Sequence, residues 1–196
     1  KRTFNNTISY KNEIKKEHIS KDREQTHIVL GNIGLNWFSL QRYATDILIN
    51  ILEGQGGRLF INLRDKKSLA YTVTAFCTYG YDNGALGAYI ACSPNKVEEA
   101  INALINEFKN LYLHPPKDKE IQRAKNYIIG THNLSFQTSE SQAMSMALME
   151  LYGIGHKDFM EYTQKIKAVS DSEIYEQAKN LLNVDNLVIV TVGPNQ

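Results

Sequence analysis

Apolar residues at Tyr43, Ala44, Ile47, Leu48, Ile51 and Leu52, with Leu40 ahead of them, alternate spacings of three and one. That is a continuous stripe at the helical period, so a helix is expected over residues 40–52, with Ser39 as its N-cap. Upstream, residues 25–33 are rich in β-branched and apolar side chains and read as a strand. Downstream, Gly54 closes the helix, because glycine enters the left-handed region at little cost. Residues 71–81 alternate, with Tyr71, Val73, Ala75, Cys77 and Tyr79 on one face. Asp82-Asn83-Gly84 reads as a tight hairpin turn with positive φ at Asn and Gly, and residues 85–92 return as the partner strand.

The C-terminal half is helical in pattern. Ser93-Pro94 starts a helix with Val97, Ile101, Leu104, Ile105, Phe108 and Leu111 on its stripe. Pro115-Pro116 separates it from a helix running to about His132. Two more follow, over about 139–151 and 157–167. In the first of these, Met144, Met146 and Met149 read as core filler, with a methionine-rich binding face as the alternative. Ser170 and Glu173 form a capping box for a last helix to about Leu182, and residues 186–192 are a continuous apolar strand. The first 23 residues are polar, with a possible short strand at Ile8-Ser9-Tyr10, and otherwise read as a linker or edge segment; 24–196 is then one unit. About four strands and six helices in this order give an α+β fold: an antiparallel or mixed sheet with helices packed on one face.

Composition narrows the function by exclusion. A formal net charge of +1 gives no global field for nucleic acid or an anionic membrane. No apolar run reaches the ~18 residues of a membrane span. The chain is expected to be soluble, with the compartment open between cytoplasm and periplasm. Cys77 and Cys92 form no C-x-x-C motif and read as two buried free thiols. The five histidines, at 18, 27, 114, 132 and 156, show no i, i+4 pair, so no H-x-x-E-H or H-E-x-x-H zinc site is written here. The glycine cluster Gly54-Gln55-Gly56-Gly57 follows a helix rather than a strand. It therefore matches neither a phosphate loop nor a dinucleotide fingerprint.

The remaining motif runs from that glycine cluster into the hairpin. Leu59, Phe60 and Leu63 would face inward from an amphipathic turn, leaving Arg58 and Arg64 outward. Arg64 and Tyr71 are seven residues apart across a helix-to-strand junction, where a guanidinium and a phenol can converge. By spacing alone, the favoured reading is Arg64 as a surface cation and Tyr71 as a half-buried strand aromatic.

Gly54-x-x-x-Arg58-Leu59-Phe60, then Leu63-Arg64-Asp65, then Leu69-Ala70-Tyr71, resembles the inverzincin zinc peptidases of the insulinase, pitrilysin and mitochondrial processing peptidase type. The resemblance covers residues 24–194. It implies the second lobe of a bilobed unit, the one that lacks zinc ligands and carries an arginine and a tyrosine spaced as Arg64 and Tyr71 are. It further implies that zinc and its glutamate base come from a zinc-bearing lobe, on the same chain or a partner subunit, and that an extended peptide is the substrate. In this reading Arg64 and Tyr71 bind substrate and stabilise the reacting carbonyl, Arg58 is structural, and the chain alone holds no metal and is inactive. The chain departs from the usual pattern at Gly57, often serine in the family, and at Ser68, often glycine. A non-catalytic scaffold homologue, like the core proteins of a respiratory complex, is the alternative.

Overall fold

A computed structural model of the chain describes residues 13–195. Five strands, β1 (Lys15–Ser20), β2 (Thr26–Gly34), β3 (Ala70–Thr78), β4 (Gly84–Cys92) and β5 (Val188–Gly193), form one mixed sheet in the order β1-β5-β2-β4-β3. Only β1 and β5 run parallel; the other neighbours are antiparallel. Six helices accompany the sheet: α1 (Arg42–Leu52), α2 (Val97–Leu113), α3 (Asp118–Ser135), α4 (Ser139–Leu151), α5 (His156–Ala168) and α6 (Asp171–Leu181). The fold is α+β, as expected.

Alternation along the strands builds the core. Ile28 and Leu30 of β2, Leu86, Ala88 and Ile90 of β4, and Ile189 of β5 are buried against α1 and α2. Val29, between the first two, is 40% exposed, so the sheet is covered on one face. Tyr43, Ala44, Ile47, Leu48, Ile51 and Leu52 of α1 are all buried, and the α2 residues Val97, Ile101, Leu104, Phe108 and Leu111 pack below them. The α6 capping box is present: Glu173 N donates to Ser170 Oγ at 3.3 Å, and Ser170 N donates to Glu173 Oε2 at 2.7 Å. Cys77 and Cys92 are free thiols, and burial pushes Cys77 up to about 11.

Four expectations change. Within the N-terminal stretch read as a linker or edge segment, Lys15–Ser20 is a strand at the edge of the sheet. All six of its residues are exposed, so nothing in its sequence was obliged to alternate. The short strand read at Ile8-Ser9-Tyr10 lies outside the described residues. Helix α1 starts two residues later than expected; Leu40 is 77% exposed, and Ser39 instead donates its hydroxyl to Gln41 Oε1. In the β3–β4 connection neither Asn83 nor Gly84 has positive φ, so the turn is not the tight primed type. Gly84 is needed there for close approach, since a Cβ would lie 2.1 Å from the Thr78 carbonyl oxygen and 2.3 Å from that of Leu35. Finally, α4 has no buried residue, and Met144 is 59% exposed: the methionines do not fill the core, because this helix forms an outer layer against α5.

Candidate functional site

The Arg64–Tyr71 segment hangs between the end of α1 and the start of β3. Glu53 N donates to the Ile49 carbonyl at 2.8 Å, and Gly54, at φ +78°, turns the chain out of the helix. Gly57 then packs directly on the helix end. A Cβ there would sit 2.1 Å from the Glu53 carbonyl oxygen, so a serine has no room in this conformation. Arg58 forks onto Glu120 of α3, with Nε donating at 2.6 Å and Nη2 at 2.8 Å. Glu120 also accepts from Lys117 N at 2.9 Å, which caps α3. Hydrogen bonding from Arg58 holds its carboxyl below the ordinary carboxylate value. Arg58 is thus committed to the scaffold.

A π-helix, Phe60–Lys66, follows. Such wide turns occur in short pieces and recur at functional sites. Leu59 and Leu63 are buried and anchor it, while Phe60 is only half-buried. At its end Ser68 takes φ +49°, donates its N–H to the Arg64 carbonyl at 3.0 Å, and accepts from Lys96 Nζ at 3.1 Å. Glycine would enter that region freely.

Strand β3 then pairs with β4 through Ala70↔Cys92 and Thr72↔Ala91, leaving Tyr71 without a partner. Tyr71 is the extra residue of a β-bulge, a device that re-aims a side chain. Val73, Ala75 and Cys77 follow the expected alternation and pack on the core, whereas Tyr71 is 76% exposed. The bulge and the turn bring the two side chains together. Arg64 Cζ lies 4.9 Å from the Tyr71 ring centroid and 4.6 Å from that of Phe60. Arg64 is half-buried. Among the described residues its guanidinium has no hydrogen bond or ion pair, which leaves five N–H donors free. The chemistry available is donation from a planar cation and a phenol to oxygen atoms arriving from outside.

A second polar cluster, not singled out from the sequence, lies along α1. Asp46 accepts from Tyr79 and Tyr162, each at 2.6 Å. Burial pushes its carboxyl up against those two hydrogen bonds. Beside it, Asp158 is held by Arg42, Tyr43 and Lys165. Asp46, Asn50 and Glu53, spaced four and three apart, line a cleft of about 390 Å3 with Cys77, Thr131 and Tyr162. The one available signal was that spacing, which interrupts the apolar stripe of α1 with a polar one.

The donor set does not suit a metal. Among the described residues no group of three His, Cys, Asp or Glu is placed to hold an ion. The histidines are dispersed: His18 meets Thr191, His27 meets Tyr89, His132 meets the Phe159 carbonyl and His156 meets Glu150. Nor, among the described residues, is any helix long and apolar enough to cross a membrane.

A family model described as the peptidase M16 inactive domain matches residues 3–128. The chain belongs to that family. An uncharacterized zinc protease of Rickettsia bellii is 30% identical over 183 residues, covering 90% of this M16 domain and 43% of the relative. An uncharacterized zinc protease of Bacillus subtilis is 27% identical over 166 residues, covering 84% and 41%. The M16 domain therefore spans less than half the length of the curated relatives it matches. Among solved structures, an M16 inactive domain from Pseudomonas fluorescens superposes with a TM-score of 0.86 at 22% identity, over 94% of this chain and 44% of that one. A chain of complex III2 from Candida albicans superposes with a TM-score of 0.79 at 16% identity, over 91% and 45%. At those identities the structures establish the fold.

Proposed function

We propose that this M16 inactive domain is the substrate-binding lobe of a two-lobe zinc metallopeptidase. Arg64 and Tyr71 hold an extended peptide and donate to its reacting carbonyl. The supporting observation is the pair itself: an unpaired, half-buried guanidinium in contact with an exposed phenol that a bulge has turned out of the sheet. Peptide hydrolysis builds negative charge on the scissile carbonyl oxygen, and donors arranged in advance lower the cost of that charge. Zinc has no fitting donor set among the described residues. The metal and a glutamate base would belong to a separate lobe, on the same chain or on a partner subunit.

The test is steady-state kinetics of Arg64→Ala and Tyr71→Phe in the complete peptidase. If Tyr71 donates to the developing oxyanion, Tyr71→Phe lowers kcat by roughly 10²-fold, as for loss of a single oxyanion donor. If the pair only holds the peptide main chain, KM rises while kcat stays nearly constant. Wild-type kcat and KM for both variants would refute the role.

A second reading is supported by the superposition on the complex III2 chain: a non-catalytic scaffold homologue. An H-x-x-E-H motif in the same or a neighbouring gene favours the peptidase; its absence from both favours the scaffold.

A further inference from the structure

The geometry points to Phe60 as a positioning residue that acts through Arg64. This rests on the reading of Arg64 and Tyr71 as substrate-binding side chains and adds a third member to the pair.

Phe60 is not a core residue. Its neighbours Leu59 and Leu63 are 0% and 1% exposed, yet Phe60 belongs neither to the buried cluster nor to the partly buried hydrophobics packed on it. Its ring instead lies under the guanidinium, 4.6 Å from Arg64 Cζ. The two residues are four apart on one π-helix, so a single anchored element sets both positions.

A long arginine side chain without an acceptor has many rotamers open to it. Two aromatic rings restrict this one. Tyr71 is 76% exposed and attached beyond the turn, so it is the less constrained ring; Phe60 is half-buried and anchored between Leu59 and Leu63. Stacking uses the faces of the guanidinium and leaves the in-plane N–H groups open. Phe60 therefore orients the cation without occupying its donors. An acidic residue at the same place would orient it and also neutralise it.

Leucine at 60 keeps most of the bulk and removes the π face; tyrosine keeps both. The test compares Phe60→Leu, Phe60→Tyr, Arg64→Ala and the double variant Phe60→Leu/Arg64→Ala in the complete peptidase, with urea midpoints measured alongside. A cation–π contact at a partly exposed site corresponds to roughly a 2- to 30-fold effect. Phe60→Leu is expected to lower kcat/KM by that much, Phe60→Tyr to restore it, and Phe60→Leu to change nothing further once Arg64 is alanine. Equal losses from Phe60→Leu with and without Arg64 would show that Phe60 acts on the fold, and would overturn the inference. So would wild-type kinetics for Phe60→Leu while Arg64→Ala is impaired; there the reading of Arg64 survives. Wild-type kinetics for Arg64→Ala would remove that reading and this inference together. Should Phe60→Leu unfold, Phe60→Met, unbranched and without a π face, takes its place in the same cycle.

Discussion

Ser68→Gly tests the turn that sets the distance between Arg64 and Tyr71. Ser68 is the only non-glycine with positive φ among the described residues, at +49°. Among the described residues its hydroxyl has no hydrogen-bond partner, and its bonds run through the backbone: N–H to Arg64, carbonyl from Lys96. Replacing the side chain therefore removes no hydrogen bond among the described residues. A left-handed conformation costs an L-residue about 1–2 kcal/mol, through the approach of Cβ to the following carbonyl. Glycine avoids that cost but loses about 0.5–1 kcal/mol more conformational entropy on folding. The difference favours Ser68→Gly by about 0.5–1 kcal/mol, or roughly 1–4 °C in Tm for a chain of this size. Urea unfolding monitored by circular dichroism measures it, with an unchanged m-value expected. Ser68→Ala is the control: it also lacks the hydroxyl but keeps the Cβ, and should match the wild type. If glycine destabilises, or if alanine stabilises as much as glycine, strain at Ser68 is not the reason and the argument fails.

Other outcomes follow from the core, the buried ion pair and the missing metal ligands. Leu48, fully buried in mid-α1, should lose roughly 2–5 kcal/mol on Leu48→Ala; a loss below about 0.5 kcal/mol would show that the stripe does not face the core. Burial favours the neutral form of Asp158, but hydrogen bonds from Lys165, Tyr43 and Arg42 outweigh it and hold the carboxyl below its ordinary value. Its contribution is thus complete above the unfolded value of about 3.9 and lost as pH falls through the depressed folded one. Asp158→Asn should cost roughly 3–5 kcal/mol at pH 7, the range for breaking a buried pair, and clearly less at pH 2, with equal gaps at the two pH values contradicting the assignment. The purified chain should carry no stoichiometric zinc, which elemental analysis of one tightly held zinc per chain would disprove.

The elements with a one-sided environment were legible in the sequence. The apolar stripe of helix α1 and the apolar positions at the start of β2 are buried at the expected periods, and Leu86, Ala88, Ile90 and Cys92 of β4 are buried at alternate positions. Strand β1 was not legible, because an edge strand exposed at every residue has no period to show. Apolar content misled at α4, whose methionines pack on an outer layer. The Arg64–Tyr71 contact was foreseeable from spacing and resemblance. Its mechanism was not, since a bulge and a π-helix are departures from the regular periods on which pattern reading depends. Phe60 was read as inward-facing with Leu59 and Leu63; its spacing of four from Arg64 was the clue that it serves the cation.

The bulge at Tyr71 also makes this stretch sensitive to counting. The strand before it and the strand after it are out of phase by one residue. Side chains from Thr72 onward can be exchanged for others of like shape while Tyr71 still points outward. Deleting Ala70 or Thr72 is another matter: it closes the bulge, restores simple alternation and returns the phenol toward the sheet. Drift by substitution leaves the Arg64–Tyr71 contact in place, and a one-codon deletion removes it with every chemically important side chain still encoded.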